Sequence, residues 1–102
     1  MQAVTDSNFE AEVINSEETV VVGYYSDSCN PCKRLKPKLE NVSKNLKSGK
    51  IVKVDVEQNF ESSMRNMVKV IPTIVVYKNG EVVSSHVGCS QLTEEEIESL
   101  IV

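Results

Sequence analysis

The chain has 102 residues, enough for one domain with a core of its own, and a formal net charge of −4 at pH 7. This negative balance, with no basic run, argues against nucleic acid and against an anionic membrane as binding partners. No apolar run approaches the ~20 residues that span a bilayer, and the first residues give no reason to expect a secretory signal. Three cysteines are an odd and low count for a secreted disulfide framework. We therefore expect a single cytoplasmic domain, residues 1–102.

The first elements predicted along the chain are a short helix and a buried strand. Ser7 and Glu10 have the spacing of a capping box, which predicts a helix that ends near Asn15. Three apolar residues are expected to form its buried stripe: Phe9, Val13 and Ile14. Residues 20–25 form a continuous apolar and aromatic run, which is typical of a strand covered on both faces.

A longer helix is predicted from Cys29 onward. Its apolar residues recur at spacings of four, three and four, which places them on one helical face: Leu35, Leu39, Val42 and Leu46. Pro37 lies inside this helix and predicts a kink there. Ser48 and Gly49 are expected to end the helix, before a second strand that alternates over residues 51–56.

A short helix and a β-hairpin are predicted next. The helix is indicated by three apolar residues that we expect to contact the core: Phe60, Met64 and Met67. Two strands follow, over residues 74–77 and 81–87. They are separated by Asn79-Gly80, which is a strong signal for a tight antiparallel hairpin.

The last predicted element is a helix that begins at Thr93. Thr93 and Glu96 have capping-box spacing. The buried face of this helix is expected to consist of Ile97, Leu100 and Ile101. Strands and helices alternate in the first half of the chain and are followed by the hairpin and the final helix. This order predicts a mixed sheet flanked by helices.

Residues 29–32, Cys-Asn-Pro-Cys, carry the chemistry of the chain. Two cysteines at this spacing can cycle between a dithiol and a disulfide, because the second lies one turn into the helix. The first sulfur lies near the free N–H groups and the positive end of the helix dipole, which favours its thiolate. A zinc site is the competing interpretation, since Cys29 and Cys32 could combine with His86 and Cys89 as ligands.

The chain resembles the thioredoxin family over nearly its whole length. The resemblance rests on Ser28-Cys29-Asn30-Pro31-Cys32-Lys33, Pro37, Ile71-Pro72-Thr73, Lys78-Asn79-Gly80-Glu81 and Val87-Gly88. A pair of cysteines at this spacing is a weak signal alone, whereas the pair followed by Ile-Pro-Thr at the start of a strand is a strong one. The resemblance implies the α/β thioredoxin fold, with a mixed central sheet of four to five strands flanked by four helices.

The resemblance also implies roles for residues around the cysteines. Cys29 resembles the attacking thiolate, and Cys32 resembles the resolving thiol that closes the disulfide and releases the reduced substrate. Pro72 resembles the cis-proline of the family, which faces the sulfurs and leaves the Ile71 backbone free to pair with an extended substrate. The other residues expected to contact substrate are Asn30, Pro31, Val70 and Gly88.

Two lysines are expected to tune the cysteines. Lys33 favours the Cys29 thiolate by its charge, and Lys53 matches a lysine that family members pair with a buried aspartate. That aspartate is thought to help deprotonate the resolving thiol, but Gly23 occupies its position in this chain. We expect either that Cys32 resolves more slowly than in a typical member or that water admitted by Gly23 takes its proton.

Other departures from the family pattern lie close to the cysteines. The chain contains no tryptophan, and Tyr25 and Ser28 stand where the family usually has a pair of them. Asn30 replaces a glycine between the cysteines, and Val70 replaces a small residue before the Ile-Pro-Thr segment. These changes alter the surface that would meet a substrate.

The function implied by the resemblance is that of a protein disulfide reductase. The partners are disulfide-containing client proteins, together with a thioredoxin reductase that restores the dithiol, and the chain is expected to act as a monomer. No cofactor is expected, because the sulfur pair stores the electrons. Two alternatives remain open: a redox-gated binding module with little turnover, and a disulfide oxidase or isomerase.

The third cysteine, Cys89, has two interpretations. It follows Gly88 and is therefore expected near the rim of the site. As a small apolar filler it would be inert, which is the favoured interpretation. As an accessible third thiol it would be open to oxidation or capping that blocks substrate docking.

Overall fold

The sheet is built from the segments in which apolar and β-branched residues predominate. The computed structural model describes residues 1–65 and 68–101. Five strands occur within these residues: β1 (Gln2–Ala3), β2 (Val20–Tyr25), β3 (Lys50–Asp55), β4 (Thr73–Lys78) and β5 (Glu81–Val87). They form one sheet in the order β1-β3-β2-β4-β5, in which the first three run parallel and β4 and β5 are antiparallel to their neighbours. The mixed α/β fold expected from the sequence is confirmed.

The central strand β2 is covered on both faces, as its apolar sequence predicts. Neighbouring residues of a strand point to opposite faces. Val20, Val22 and Tyr24 accordingly belong to one core, and Val21 belongs to a second core on the other side of the sheet. All four are fully buried. The domain therefore consists of a sheet between two apolar layers.

The first α-helix, α1 (Asn30–Lys44), packs an apolar face against the sheet and contains Pro37. Its buried residues are Cys32, Leu35, Leu39 and Val42. The expected end near Gly49 is wrong, because Asn45 terminates the helix and its Nδ2 donates to a carbonyl of the last turn at 3.0 Å. Leu46 lies beyond the helix but still packs against the second core.

The N-terminal helix is a single π-helical turn, Glu10–Ile14. The residues predicted to form its inner stripe are buried or partly buried: Phe9, Val13 and Ile14. The predicted capping box of Ser7 and Glu10 is wrong, since no side chain caps the turn. The preceding loop is closed instead by Asn8, whose Oδ1 accepts a hydrogen bond from the Thr5 N–H at 2.7 Å.

The second α-helix, α2 (Phe60–Arg65), turns its small residues inward and its large apolar residues outward. Its two serines are buried. Phe60 is 67% exposed and Met64 is 60% exposed, so the prediction that they contact the core is wrong. Met67, the third residue of that prediction, lies outside the described residues.

A carboxylate from the N-terminal segment accounts for the orientation of α2. Asp6 Oδ1 accepts hydrogen bonds from the N–H and the hydroxyl of Ser62, at 2.8 and 2.5 Å. Asp6 Oδ2 accepts a third bond from the Glu61 N–H at 3.2 Å. The Ser63 hydroxyl donates to the Asn59 carbonyl at 3.2 Å. The serine face of α2 is thereby held against the domain, and the opposite face meets solvent.

The predicted hairpin joins β4 to β5. Asn79 and Gly80 both adopt positive φ, 54° and 80°, which a tight hairpin turn of this kind requires. A Cβ at Gly80 would lie 2.7 Å from a backbone oxygen of the π-helical turn, so glycine is needed there. β5 is an outer strand of the sheet, with Val82, Val83 and Val87 more than half exposed.

The third α-helix, α3 (Glu94–Ser99), begins with the predicted capping box at Thr93. Its apolar residues and those just beyond it pack against the second core as expected: Ile97, Leu100 and Ile101. Among the described residues, three α-helices and the π-helical turn flank the sheet. Among residues 1–65 and 68–101, we find no helix with both the length and the apolar character needed to cross a membrane.

Candidate active site

Cys29 and Cys32 form a disulfide at the start of α1. Their Cα atoms are 5.3 Å apart. Cys29 caps the helix, and its Sγ accepts a hydrogen bond from the Cys32 N–H at 3.2 Å. Cys29 is half-buried, whereas Cys32 is buried with only 4% of its surface exposed. A reagent that approaches from solvent therefore reaches Cys29 first.

The turn between β2 and α1 positions Cys29. The Cys29 N–H donates to the Ser26 carbonyl at 3.3 Å, and the hydroxyls of Ser26 and Ser28 are 3.3 Å apart. The Ser28 hydroxyl also donates to Glu57 Oε1 at 3.1 Å. Pro31 lies in the first turn of the helix, where its missing N–H costs no helical hydrogen bond. The turn is thereby tied to the segment that follows β3.

The segment before β4 approaches the buried cysteine. The Ile71–Pro72 peptide bond is cis, and Pro72 lines a small cavity together with Cys32. The Thr73 hydroxyl donates to the Val70 carbonyl and closes the turn. Within the part of the chain that the structure describes, the N–H and C=O of Ile71 have no hydrogen-bond partner. Among the described residues, the Ile71 backbone is therefore unpaired, next to Pro72, which lines the cavity at Cys32.

The residues expected to form the rim lie at the same end of the sheet. Val70 is 51% exposed, and Asn30 is exposed on the first turn of α1. Thr73 pairs with Val87, which places Gly88 beside the Pro72 end of β4. Gly88 adopts φ +65°, and a Cβ there would have no neighbour within 4 Å. The rim is thus formed by residues from three different elements.

A small cavity lies behind Cys32. Its volume is about 20 Å³, and its lining includes Gly23, Cys32, Leu39, Lys53 and Pro72. Gly23 and Lys53 are directly opposite each other in the β2–β3 register. A Cβ at Gly23 would lie 3.0 Å from Leu39 Cδ1, so the Leu39 methyl borders the space where an acidic side chain would begin. The cavity has room for one water molecule, which needs about 10–15 Å³.

The two lysines expected to tune the site lie in different environments. Lys33 is exposed on the first turn of α1. Lys53 Nζ lies 6.0 Å from the centroid of the Tyr25 ring, at the outer limit of a cation–π contact. Burial raises the pKa of Tyr25, and the carboxylates of Asp55 and Asp27 raise it further. Lys53 and Tyr25 therefore both line the cavity behind Cys32.

Cys89 is a buried thiol. It is 4% exposed, and its Sγ donates to the Pro72 carbonyl oxygen at 3.5 Å. Burial raises the pKa of the Cys89 thiol and outweighs the backbone hydrogen bonds that act in the opposite direction. The structure favours the apolar-filler interpretation of Cys89 over the accessible third thiol.

The competing zinc interpretation finds no matching arrangement. Cys29 and Cys32 are bonded to each other, and His86 Nε2 is 3.1 Å from Ser84 Oγ on β5. Residues 1–65 and 68–101 contain no group of three or more histidine, cysteine, aspartate or glutamate side chains that could hold a metal ion. The thiol–disulfide interpretation of the cysteines is the one that the geometry supports.

Two features of the site were not predicted from the sequence. The Ser28–Glu57 hydrogen bond joins residues 29 positions apart, and no local pattern indicates it. The second feature is an apolar groove of about 230 Å³ beside α2, here called the α2 groove. Its lining consists of Val56, Phe60, Ser63, Met64, Val68, Lys69 and Ile71. The helical spacing of Phe60 and Met64 predicts an apolar face on this helix. It does not determine whether that face is buried or exposed.

Comparisons with known proteins agree with this geometry. The thioredoxin family model matches residues 1–101. The chain is 38% identical over 89 residues to a thioredoxin of Rickettsia bellii (strain RML369-C), covering 86% of this chain and 85% of the relative. It is 39% identical over 88 residues to a thioredoxin of Streptomyces clavuligerus, covering 86% and 82%. It is 40% identical over 88 residues to thioredoxin C-2 of Corynebacterium nephridii, covering 84% and 81%.

Proposed function

The chain belongs to the thioredoxin family of protein-disulfide oxidoreductases, and we propose that it reduces client disulfides through a mixed disulfide at Cys29. The observation that carries this proposal is the unequal exposure of the bonded pair. Cys29 is half-buried at the tip of α1, and Cys32 is buried behind it. This asymmetry fits one sulfur that attacks a client and a second that resolves the intermediate.

The reaction has two exchange steps. In the first, the Cys29 thiolate attacks one sulfur of the client disulfide, and the other client sulfur leaves as a thiolate that takes up a proton. In the second, Cys32 loses its proton and attacks Cys29 Sγ, so that the Cys29–Cys32 bond forms and the first client sulfur leaves. In total the client disulfide gains two electrons, which the protein loses as the Cys29–Cys32 bond forms, and each client thiolate takes up a proton from solvent, to which Cys32 has lost one.

The start of α1 supports the first step. The Cys32 N–H donates to Cys29 Sγ, and the positive end of the helix dipole lies at the same sulfur. Lys33 adds a positive charge one turn away. An attacking thiol is most reactive when its pKa lies near the ambient pH, because a lower value reduces its nucleophilicity. The Cys32 N–H, the helix dipole and the Lys33 charge all favour the thiolate form of Cys29.

The client is proposed to bind along the segment before β4. The N–H and C=O of Ile71 have no partner among residues 1–65 and 68–101, and they would pair with an extended client strand. The exposed Val70 and Gly88 would contact client residues on either side of the disulfide. Asn30 and Pro31 complete this surface on the α1 side.

Reduction of insulin by dithiothreitol tests the reductase proposal. Catalytic amounts of the wild type are expected to accelerate precipitation of the insulin chains, and Cys29→Ser is expected to abolish the acceleration. Cys32→Ser is the matched variant: it should still attack but accumulate a mixed disulfide without turnover. A wild type without acceleration would instead support a redox-gated binding module, and turnover by Cys29→Ser would overturn the role of Cys29.

A measured equilibrium with glutathione tests the oxidase or isomerase alternative. Thioredoxins as a class have a reduction potential of about −270 mV, and values above about −180 mV are typical of oxidants and isomerases. We expect the Cys29–Cys32 pair to have a reduction potential near about −270 mV. The reason is Pro31, since a proline at this position between the cysteines is a feature that thioredoxins share.

The proton of Cys32 is proposed to leave through water. The cavity of about 20 Å³ between Gly23, Lys53 and Cys32 has room for one water molecule, and no acidic side chain stands at position 23.

The variant Gly23→Asp tests this route. It is expected to accelerate decay of the mixed disulfide about tenfold, since a positioned base accelerates proton transfer by at least that factor. Gly23→Ala is the control, because its Cβ makes the same 3.0 Å contact with Leu39 without adding an acid. Equal decay rates for all three proteins between about pH 6 and 9 would refute this route.

The partners and the location remain part of the proposal. A thioredoxin reductase is expected to restore the dithiol, and the protein is expected to act as a cytoplasmic monomer. The radius of gyration of 12.1 Å is close to the ~13 Å of a single compact domain of this length, which supports a self-contained unit.

A further inference from the structure

A short turn after β5 contacts both α1 and the proposed client-binding segment. This 3₁₀ turn, Cys89–Gln91, is here called the rim turn, because Gly88 at the rim of the site directly precedes it. Gly88 has a left-handed backbone conformation, and a Cβ there would meet no atom within 4 Å. Among the described residues, no side chain caps the rim turn. Its position is therefore set by contacts with other elements.

Two side-chain hydrogen bonds hold the rim turn, one on each side. Lys38 is half-buried on α1, and its Nζ donates to the Ser90 carbonyl at 2.9 Å. On the other side, the Cys89 thiol donates to the Pro72 carbonyl at 3.5 Å. A charged donor forms a stronger hydrogen bond than a neutral one, and a thiol is a weak donor. The rim turn thus connects α1 to Pro72, and the Lys38 bond is the stronger of these two links.

This connection joins the attacking sulfur to the place where a client would bind. Cys29 caps α1, so the position of the helix fixes the position of its sulfur. Pro72 follows Ile71, whose N–H and C=O would pair with an extended client strand. A misplacement of reacting groups by about 1 Å can lower a rate about 100-fold. The rim turn therefore helps to fix the distance between Cys29 and the client strand.

We propose that Lys38 is a positioning residue for client reduction, because through the rim turn it holds the client-binding segment in place relative to the cysteine helix. This inference rests on the proposed reductase function and deepens it. Lys38 lies nine residues after Cys29, which is about 13 Å along a helix at ~1.5 Å per residue. Charges at a surface are screened beyond about 10 Å in 0.1 M salt. The effect of Lys38 is therefore one of position and not of its charge on the thiolate.

Single-turnover kinetics with two disulfides test the inference. One is a short peptide whose central cysteine is bonded to thionitrobenzoate, and the other is mercaptoethanol bonded to the same group. Attack by Cys29 of the pre-reduced protein releases the same coloured thiolate from both. Lys38→Met is expected to lower the rate with the peptide about fivefold, below saturation, since it removes a hydrogen bond from a charged donor. The rate with the mercaptoethanol disulfide should not change, because this compound has no strand to bind.

Variants of Cys89 test the route through the rim turn. Cys89→Ala removes the donor to Pro72 and is expected to lower the rate with the peptide about twofold. Cys89→Ser keeps a donor and is expected to restore the rate. The double variant Lys38→Met, Cys89→Ala should react with the peptide as Lys38→Met does, because both changes break the same connection. Independent effects would multiply to about tenfold.

The matched control removes another hydrogen bond that leaves the same helix. Asn41 Nδ2 donates to Glu94 Oε2 at 3.1 Å and so links α1 to α3 without reaching the rim turn. Asn41→Ala is expected to keep both rates at the wild-type value. An equal fall for both disulfides in Lys38→Met would show a merely structural role and overturn the inference.

Three further outcomes separate the inference from the proposed function. An unchanged rate of Lys38→Met with the peptide would overturn the inference, while reaction of the wild type with both disulfides upheld attack by Cys29. Multiplied effects in the double variant, or no recovery in Cys89→Ser, would overturn the route through the rim turn. A wild type that released no thionitrobenzoate from the peptide would overturn the reductase function itself.

Discussion

The two helices near the disulfide, α1 and α2, are held in the domain by different forces. α1 is anchored by an apolar face that contributes Leu35, Leu39 and Val42 to the second core. α2 buries two serines and is anchored through hydrogen bonds to the Asp6 carboxylate. Apolar burial is non-directional, whereas hydrogen bonds fix one orientation. The comparison teaches that a directional anchor can leave large apolar side chains such as Phe60 and Met64 exposed to solvent.

Truncation of an anchoring residue in α1 is expected to have the largest effect on stability. Leu35→Ala removes a side chain that is 2% exposed, and it should lower the free energy of unfolding by about 2–5 kcal/mol. Met64→Ala in α2 is the matched change, and it should alter stability by no more than about 0.5 kcal/mol because Met64 is exposed. Urea denaturation measures both. Equal losses would show that α2 is also anchored by apolar contacts.

Removal of the Asp6 carboxylate is expected to have an intermediate effect. Asp6→Ala leaves the N–H groups of Glu61 and Ser62 without their acceptor, and it should cost about 1–3 kcal/mol. Asp6→Asn is the control, since it keeps one acceptor oxygen and removes the charge, and its loss should be smaller. Urea denaturation of the three proteins gives the comparison, and an unchanged midpoint for Asp6→Ala would contradict the proposed anchor of α2.

The same carboxylate predicts a pH dependence of the stability of the protein. Burial alone would raise the pKa of Asp6, but hydrogen bonds from Ser62 and Glu61 and the charge of Arg65 outweigh it and hold the pKa below its ordinary value of 3.8. A group whose pKa is lowered by folding stabilises the protein above its unfolded value and loses that contribution as the pH falls. The stability difference between wild type and Asp6→Asn should therefore be constant above about pH 5 and shrink below pH 3.8. Unfolding midpoints measured across this range check the sign.

The prediction that involves no change in stability is the labelling of Cys89, which lies in the core that packs against α1. Cys89 belongs to that core, and burial raises the pKa of its thiol. In the reduced, folded protein, iodoacetamide should label Cys89 at least about 100-fold more slowly than in the unfolded chain, because the thiolate is the reactive form. Peptide mapping by mass spectrometry gives the rate. Labelling of Cys89 as fast as Cys29 would mean that the α1 layer opens easily.

Elements with local signals could be predicted from the sequence. The helical spacing of Leu35, Leu39 and Val42 predicts α1, and Asn79-Gly80 predicts the hairpin. The motif at residues 29–32 also predicts the disulfide at the start of α1. In each case the residues that determine the structure lie within a few positions of one another.

The orientation of α2 could not be predicted in this way. It depends on a hydrogen bond between Asp6 and Ser62, which are 56 residues apart. The spacing of Phe60 and Met64 fits a buried face and an exposed face equally well. The end of α1 was missed for a related reason, because Asn45 stops the helix before the more conspicuous Gly49. Long-range polar contacts and competing stop signals leave no periodic pattern in the sequence.

The outer position of β5 has a practical consequence for handling the protein. Its one strand neighbour among the described residues is β4, and its three valines are more than half exposed. An unpaired strand edge of this kind can be extended by another chain. Mutual repulsion between molecules comes from a net charge of −4 at pH 7, which disappears near the isoelectric point of about 5.0. Concentrated stocks are therefore expected to stay clear in neutral or mildly alkaline buffer and to become turbid on acidification.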